Sequence, residues 1–397
     1  MTQAWPLPDI APERIVDFDF FAVRPKGGDL HAGWKEWQDR HPEPFYTPHN
    51  GGHWVATRAS QIGEIFRDYD NFSSRGVALF RDAELQFLPG QLDLPIHRDF
   101  RRHLDPEVSP ARLRAFHDDA QSLAREVIGG VVSSGNECEF QDAIGHVMPI
   151  YNFLVFMGLP ISDAEILLPP AGKVTRSDDP REFAQGMADI LAYIEERLEE
   201  RRKRPTDDFL GRLLQARIGN RGIAEEEIRA TAINVLLGGL DTVTASMGFH
   251  MKFLAEHPEH RRALVENPAK IPTAVEELLR RFAIFNTGRL VMRDFDFHGT
   301  LFRKDDLVMV PTALYNLDDA VFADALEVDF DRPNKGAHYT FAAGIHRCLG
   351  QNFARIQLHI ILREWLRLVP DFAIDPARPP EVRSGRSNAV IKLWLRW

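Results

Sequence analysis

The sequence predicts a mainly α-helical fold with small β-sheets. Helical periodicity dominates residues 95–285 and returns at 350–369. Strand-like runs of apolar and β-branched residues lie near 50–60, 289–310 and 371–397. No internal repeat or low-complexity tract interrupts the 397 residues. We therefore expect a single domain that spans residues 1–397.

The composition is that of a globular protein and argues against several functional classes. Hydrophobic residues make up 44% of the chain and charged residues 27%, close to ordinary usage. A formal net charge of −10 disfavours nucleic acid or an anionic membrane as partner, because both need a basic surface. No stretch approaches the roughly 18 uninterrupted apolar residues of a membrane-spanning helix, and the N-terminus lacks a signal-peptide pattern. We expect a cytoplasmic protein.

The order of elements can be predicted in outline. Residues 1 to about 50 are rich in Pro and Gly and predict an irregular arm, which residues 53–58 follow as a strand. The longest helix opens near residue 224 with three acidic residues in its first turn. Its predicted apolar stripe consists of Ile228, Ala232, Leu236, Leu240, Val243 and Met247. A later helix begins after Gly350 and stops before Pro370.

One of the two cysteines lies in a context that suits a metal ligand. Cys348 stands in the loop Phe-Ala-Ala-Gly-Ile-His-Arg-Cys-Leu-Gly, residues 341–350, which runs directly into a helix. Amide donors and the positive helix end would lower the pKa of a thiol there. A lone cysteine is more often a small buried hydrophobe, so the cysteine alone does not decide the matter. Cys138 has no such context and is interpreted as a packing residue.

A second unusual segment, Gly-Gly-Leu-Asp-Thr, lies in the middle of the longest predicted helix. Gly238 and Gly239 cost about 2 kcal/mol relative to two alanines. The hydroxyl of Thr242 can bond a carbonyl one turn earlier and open the helix. Asp241 is unfavourable in a buried helix unless it is paired or transfers protons. The segment alone also fits a close helix crossing with Asp241 turned to solvent.

Two pairs at helical spacing complete the set of candidates. Glu277 and Arg280 are separated by three residues and can pair along one helix face. His97 and Arg101 are separated by four and could clamp an anionic group. Most pairs of this kind are ordinary surface contacts, so neither pair is specific by itself.

The ten-residue cysteine loop resembles the signature of the cytochrome P-450 family at every defining position. Further blocks are similar to the bacterial camphor-hydroxylase branch of that family, at residues 51–58, 71–74, 237–242, 253–261 and 274–282. This resemblance implies a triangular, helix-rich fold. It also implies haem b between the long distal helix and the proximal helix that follows Gly350.

The same resemblance implies roles for individual residues. Cys348 corresponds to the axial thiolate ligand, and the residues implied to bind the haem propionates are His97, Arg101, Arg289 and His346. Asp241 and Thr242 correspond to the acid and alcohol that deliver protons when the O–O bond is cleaved. Glu277 and Arg280 correspond to a structural element that a third basic residue completes. The basic partners of Asp241 are expected on a preceding helix, where Arg176 could supply one.

The substrate pocket departs from the camphor-hydroxylase pattern. Its implied lining is Leu85, Asn234, Leu237, Phe285 and Thr287. No tyrosine occurs in residues 83–87, where camphor hydroxylases place one against the ketone, so camphor is not expected as the substrate. A small, mostly apolar pocket with one or two polar groups suits a terpenoid or norisoprenoid ketone such as an ionone.

The function that the resemblance implies is a haem-thiolate monooxygenase that inserts one atom of O2 into a C–H bond. Electrons would come from a 2Fe-2S ferredoxin and its NADH-dependent reductase, and the ferredoxin would dock on Arg75, Arg98, Arg101 and Lys335. Alternatives are a peroxide-driven peroxygenase and a non-enzymatic haem sensor. The acid and alcohol pair argues against the first, and no output domain is evident for the second.

Overall fold

The computed structural model describes residues 10–79, 86–176 and 179–397, without the side chains of residues 175, 176 and 180. Within these residues the α-helices are α1 (Leu30–Arg40), α2 (Ala59–Ile65), α3 (Ile96–Leu104), α4 (Pro110–Ser134), α5 (Val147–Met157), α6 (Ala164–Arg176), α7 (Pro180–Lys203), α8 (Phe209–Leu214), α9 (Glu225–Glu256), α10 (Pro258–Glu266), α11 (Ile271–Arg281), α12 (Thr312–Asn316) and α13 (Gln351–Leu368). The predicted mainly helical fold class is confirmed.

The strands are short and form small sheets. In the described part of the chain they are β1 (Phe45–Thr47), β2 (His53–Val55), β3 (Phe72–Ser73), β4 (Glu137–Glu139), β5 (Arg217–Ile218), β6 (Arg221–Gly222), β7 (Asn286–Val291), β8 (Phe295–Phe297), β9 (Thr300–Phe302), β10 (Leu307–Pro311), β11 (Ala373–Ile374), β12 (Glu381–Arg383), β13 (Ala389–Lys392) and β14 (Trp394–Arg396). The largest sheet has the order β1-β2-β10-β7-β3. Its β2 and β10 are parallel, and the other pairs are antiparallel.

Helix α9 crosses the core of the protein. Three glutamates occupy its first turn, where they complement the positive end of the helix dipole. All six residues of the predicted apolar stripe are buried. By length and composition α9 could cross a membrane, but 61% of its most apolar window is buried inside the protein. Its apolar character is therefore that of a core helix.

Helix α13 follows the cysteine loop directly and fixes where that loop ends. It starts at Gln351, with Gly350 as its N-cap, and ends at Leu368, before Pro370. Phe353 and Ile360 are buried on its inner face. The helix packs against α4, α9 and α11. These contacts hold the loop next to the core.

The N-terminal region differs from its prediction. Within residues 10–50, which were expected to be irregular, the structure has helix α1 and strand β1. Asp29 caps α1 by accepting hydrogen bonds from the backbone amides of His31 and Ala32. Trp34 is fully buried, and its indole donates to Asn388 at 3.3 Å. The cap and this long-range contact stabilise a helix that the Pro and Gly content obscures.

Candidate active site

The cysteine loop is a tight turn whose backbone requires glycine at one position. The Cys348 amide donates to the Phe341 carbonyl at 2.9 Å and closes the loop. Gly344 has φ +70°, and a Cβ there would lie 2.3 Å from the Tyr69 hydroxyl oxygen and 2.5 Å from the Phe66 carbonyl oxygen. Any other residue would clash as well as be strained. The glycine therefore lets the loop pack against the residues that follow α2.

The Cys348 side chain has accessible surface, although enough protein surrounds its thiol for burial to be the largest influence on its pKa. Burial raises the pKa of its thiol, while a hydrogen bond from the Gly350 backbone and the charges of Arg101, Arg355 and Arg347 lower it. The predicted net lowering of the pKa is thus wrong, because desolvation outweighs the amide and the arginines. Because the thiol has accessible surface and is still surrounded by protein, we infer that this surface faces an opening inside the fold.

The centre of α9 borders an opening in the same way. Gly238 is exposed although the helix is largely buried, and a Cβ added to it would meet nothing within 4 Å. The Thr242 hydroxyl donates to the Gly238 carbonyl at 2.6 Å, as the sequence predicts. The expected opening of the helix does not occur, since α9 is continuous from Glu225 to Glu256. The extra hydrogen bond is accommodated without breaking the backbone ladder.

Asp241 takes its polar partners from the C-terminal part of the chain. Burial raises the pKa of its carboxyl group, whereas the Ser387 hydroxyl and the charges of Arg383 and Arg386 lower it. Arg383 ends β12 and Arg386 lies in the turn between β12 and β13, so both act on Asp241 from this part of the chain, and the expected basic partner on a preceding helix stays a prediction. The side chain of Arg176, the residue proposed for that role, lies outside the described residues.

The turn of residues 384–388 is held firmly against the chain that leaves α11. The Asn286 amide donates to the Arg386 carbonyl at 2.8 Å, and the Asn388 amide donates to the Ile284 carbonyl at 2.8 Å. Phe285 and Ser387 form an antiparallel bridge between these contacts. The turn therefore places Arg386 and Ser387 beside Phe285, one of the predicted pocket residues. No sequence pattern indicated this contact, because about a hundred residues separate the two segments.

A group of basic side chains gathers beside the cysteine loop. The rings of His97 and His346 are 4.2 Å apart. Burial, and then the charges of Arg289, His97 and Arg101, lower the pKa of His346 to about 2. Burial lowers the pKa of Arg289 to about 10. Arg101 donates to the Asp105 carboxylate at 2.7 Å and to the Arg347 carbonyl at 3.0 Å.

Residues 126–381 match the family model described as Cytochrome P450. The chain belongs to the cytochrome P450 family. It is 31% identical over 404 residues to the probable cytochrome P450 127A1 of Sinorhizobium fredii, an alignment that covers 99% of this chain and 97% of that protein. The crystal structure of CYP101J2 superposes with a TM-score of 0.90 at 32% identity and full coverage of both chains. That of CYP101C1 superposes with a TM-score of 0.89 at 34% identity and 98% coverage of each.

These likenesses confirm the predicted fold, the enzyme class and the cofactor. The chain is a cytochrome P450 monooxygenase with a thiolate-ligated haem b. The resemblance to the camphor-hydroxylase branch is also confirmed, since CYP101J2 and CYP101C1 belong to it. The curated relatives act on very different molecules, and they include a mycinamicin IV hydroxylase/epoxidase of Micromonospora griseorubida, 28% identical over 87% of this chain. The substrate therefore cannot be transferred from a relative.

The residues present fit a haem group. Within residues 10–79, 86–176 and 179–397, no carboxylate forms an ion pair with the buried Arg289. The guanidinium donates to the Gly288 carbonyl and lies over the Phe66 ring, but burial still lowers its pKa, so a carboxylate that enters from a ligand would stabilise its charge. The two propionates of a bound haem would supply such carboxylates, and His97, Arg101 and His346 would be their neighbours. The exposed Cys348 offers a thiolate for the iron.

The cytochrome P450 core behind the cysteine loop is held by a buried ionic cluster around Glu277. Its carboxylate accepts from Arg280 at 2.8 and 2.9 Å and from Arg332 at 3.0 Å, and it also accepts from the Asp329 amide at 3.1 Å. Glu277 and Arg280 are fully buried. Arg332 is the third basic residue that sequence reasoning did not assign. The sequence signal that could have indicated Arg332 is its position in the run Phe-Asp-Arg-Pro, residues 330–333, in a stretch without predicted helix.

The predicted pocket residues have different surroundings. Asn234 donates to the Leu88 carbonyl at 3.0 Å and so ties α9 to residues 86–95. Leu237 and Phe285 are half-buried, whereas Thr287 is buried in β7 opposite Val310. Leu85 lies outside the described residues. The structure adds Arg386, whose guanidinium carbon lies 5.7 Å from the centre of the Phe87 ring.

The four predicted docking residues also differ in their availability. Arg98 and Arg75 are exposed, and Arg75 donates to the Ser73 hydroxyl at 3.2 Å and lies 3.9 Å from the Asp93 carboxylate. Lys335 is half-buried and donates to the Arg332 carbonyl at 2.8 Å. Arg101 is paired with Asp105. Arg98 and Arg75 therefore present most of the accessible positive charge of this set.

Proposed function

We propose that this cytochrome P450 hydroxylates a small, mostly apolar terpenoid or norisoprenoid ketone such as an ionone. The overall reaction consumes the substrate, O2, two electrons and two protons, and it yields the alcohol and one water. The observation that carries the proposal is the pair of internal openings, one at Cys348 before α13 and one at Gly238 in the middle of α9. A flat cofactor between the two would have its ligand on one side and an acid and an alcohol on the other.

The haem supplies the oxygen activation, and the chain holds and orients it. Cys348 is the residue proposed to hold the haem iron, and its thiolate would make the bound haem electron-rich. The proposed propionate partners are His97, Arg101, Arg289 and His346. Hydrogen bonds from charged donors to carboxylates are about twice as strong as neutral ones. The geometry of the loop depends on Gly344, where a Cβ would clash with Tyr69 and Phe66.

Asp241 and Thr242 are the proposed proton-transfer residues. Burial raises the pKa of the Asp241 carboxyl group, which brings a protonated form closer to neutral pH and makes the group a better proton donor there. Ser387 and Arg386 lie beside the carboxyl and orient it. The Thr242 hydrogen is committed to the Gly238 carbonyl, so the hydroxyl oxygen remains an acceptor for a hydrogen bond from an incoming water.

The proposed substrate pocket has an apolar lining with two hydrogen-bond donors. Leu85, Leu237, Phe285 and Thr287 are the proposed lining residues. Asn234 and Arg386 supply N–H groups, and a guanidinium carries five of them, which suffices for several acceptors at once. A ketone oxygen is a suitable acceptor, which supports a terpenoid ketone over a hydrocarbon. A hydrophobic pocket distinguishes one methylene by only about 1–3 kcal/mol, so related ketones should also bind.

A 2Fe-2S ferredoxin and an NADH-dependent reductase are the proposed electron donors. The exposed Arg98 and Arg75, together with Arg101 and Lys335, form the proposed docking surface for an acidic ferredoxin. A local basic patch can steer such a partner although the net charge of the chain is −10. We place the reaction in the cytoplasm, since the one long apolar helix of the described residues, α9, is mostly buried in the fold.

The first test is the carbon-monoxide difference spectrum of the dithionite-reduced protein. Wild type should show the strongly red-shifted Soret band of thiolate-ligated haem, and Cys348→Ser should lose it. Cys138→Ala is the matched control, because Cys138 is buried in β4 and should leave the band unchanged. A folded, haem-loaded wild-type protein without the band would overturn the assignment of Cys348.

The second test concerns the substrate and the source of electrons. An ionone should convert the ferric haem toward high spin at lower concentration than its parent hydrocarbon without the ketone, and Arg386→Leu should remove this difference. Turnover should require ferredoxin, reductase, NADH and O2. Equal binding of ketone and hydrocarbon would contradict the role of the donors. Product formation from hydrogen peroxide alone, at a comparable rate, would instead identify a peroxygenase.

A further inference from the structure

Three side chains with metal-binding donor atoms meet at the junction of α9 and α10. His257 is the C-cap of α9, and Glu259 and His260 lie in the first turn of α10. The Glu259 Oε1 atom is 3.2 Å from Nδ1 of His257 and 3.1 Å from Nδ1 of His260. All three donor atoms lie within 4.8 Å of one another. The cluster is distant in sequence from the cysteine loop, and it lies at the C-terminal end of α9, whereas Asp241 lies in the middle of that helix.

The spacing of these atoms matches the edges of a metal coordination tetrahedron. Zinc binds imidazole nitrogen and carboxylate oxygen at about 2.0–2.2 Å, which puts neighbouring tetrahedral ligands about 3.3–3.4 Å apart. The two nitrogen–oxygen distances of 3.2 and 3.1 Å are within a few tenths of an ångström of that value. Two of the three ligand–ligand distances therefore already suit a bound cation, and the third, between the two histidine ligand atoms, is within 4.8 Å.

The hydrogen-bond pattern of His260 is incomplete without a cation or an added proton. Its Nε2 atom lies 3.2 Å from the Val328 carbonyl oxygen, which can only accept, so Nε2 must carry the hydrogen. A neutral imidazole has one N–H group, and its Nδ1 lone pair then faces the Glu259 carboxylate oxygen. Two acceptors in contact repel each other unless a positive charge lies between them. A ring N–H held by a backbone carbonyl is also the usual arrangement of a metal-binding histidine.

Aromatic packing fixes the orientation of both imidazole rings. Phe253 stacks on His257 with a centroid distance of 4.3 Å and meets His260 edge-on at 5.0 Å. Phe330 contacts the other side of His260 at 5.2 Å. The three donors nevertheless stay accessible, because the side chains of His257, Glu259 and His260 are 44%, 60% and 27% exposed. The site is thus ordered in advance and open to an ion from solution.

We propose that His257, Glu259 and His260 bind one divalent transition-metal cation of the Zn2+ class, with water as the fourth ligand. Two imidazoles and a carboxylate form a donor set that suits such ions better than it suits Mg2+ or Ca2+. Through the contact of His260 with Val328, the bound ion would clip the end of α9 and the start of α10 to the chain after α12. This site is independent of the haem chemistry proposed above.

The test is a calorimetric titration of the haem-loaded protein with ZnCl2 in a buffer that does not bind metals. Wild type should bind one zinc ion at this site, and His257→Gln, Glu259→Gln and His260→Gln should each weaken that binding at least tenfold. The matched control is His298→Gln, since His298 also contacts a glutamate, Glu64, at 2.9 Å but belongs to a pair rather than a group of three. The control should bind zinc as wild type does.

A second measurement separates loss of the site from loss of the fold. Zinc should raise the melting temperature of wild type and of His298→Gln, because an ion that binds only the native state stabilises it. It should not do so for His260→Gln, whose melting temperature and carbon-monoxide spectrum without zinc should match those of wild type. The proposal would be overturned if the double variant His257→Gln/His260→Gln bound zinc as tightly as wild type. It would also be overturned if wild type bound no zinc.

Discussion

Glu277→Gln should destabilise the protein more than any exchange of an exposed charge of the same kind. The side chain keeps its shape in this variant but loses the charge that neutralises Arg280 and Arg332, which lie 2.8 and 3.0 Å away. Glu277 and Arg280 are fully buried, and Arg332 is 8% exposed. Water therefore cannot replace the lost carboxylate. Removal of one partner from a buried ion pair typically costs about 3–5 kcal/mol.

The expected change in melting temperature follows from the length of the chain. Unfolding entropy near 60 °C is about 2.1 cal/mol/K per residue, or about 0.8 kcal/mol/K for 397 residues. A loss of 3–5 kcal/mol should thus lower the melting temperature by about 4–6 °C. Circular dichroism during heating measures the unfolding, and the Soret band of the carbon-monoxide complex reports whether haem stays attached to the thiolate.

The matched control is Asp99→Asn, which breaks an exposed pair of the same spacing with Arg102. Its two side chains are 26% and 69% exposed, and such helical pairs contribute about 0.3–0.5 kcal/mol. This variant should melt within about 1 °C of wild type. If Glu277→Gln melted as close to wild type as Asp99→Asn does, the inference that the buried cluster supports the cysteine loop would be wrong.

Four further outcomes are expected. Asp241→Asn should slow product formation by about 10²-fold while the substrate-induced spin shift is unchanged, and an undiminished rate would exclude the proposed proton transfer. Thr242→Ala should consume NADH but release hydrogen peroxide in place of product, whereas Thr242→Ser should restore coupling; peroxide release from both would remove the role of the hydroxyl. Arg98→Glu should slow ferredoxin association, most strongly at low ionic strength, and Arg181→Glu, a change at a 92% exposed position on α7, should not. Finally, burial alone would raise the pKa of Glu276, but His338 and Arg355 lower it to about 2. The stability that the ionised Glu276 contributes is therefore present above about pH 4.5 and is lost as the pH falls toward 2. Acid unfolding of Glu276→Gln should depend less on pH in that range than that of wild type, and an unchanged acid-unfolding curve would contradict this.

The parts of the fold that could be predicted from sequence are those with a local cause. The periodicity of Ile228, Leu236 and Met247 predicted the face of α9 that is buried. The spacing of Thr242 and Gly238 predicted their hydrogen bond, because a hydroxyl four residues later reaches that carbonyl by helix geometry alone. Gly350 and Pro370 likewise predicted the limits of α13. Each of these inferences needed no knowledge of distant residues.

The parts that could not be predicted depend on contacts between distant segments. Arg332 meets Glu277 across 55 positions, and nothing near Arg332 shows which carboxylate it will join. Ser387 reaches Asp241 because the backbone amide of Asn286 holds the turn of residues 384–388, which contains Ser387, by a hydrogen bond to the Arg386 carbonyl. The pKa of the Cys348 thiol was predicted in the wrong direction for a related reason. Amide donors are visible in the sequence, whereas the amount of protein packed around a thiol is not.

Two residues that weaken α9 and a buried acid that burial disfavours lie at the same place, and this coincidence supports a functional cause. Gly238 and Gly239 weaken the helix by about 2 kcal/mol, and burial acts against the ionised form of Asp241. A helix selected for stability alone would carry alanine and leucine there. Natural sequences tend to break local rules where a function requires it. The close approach that glycine allows, next to the acid proposed to transfer protons, would suit a cofactor bound against this face of α9.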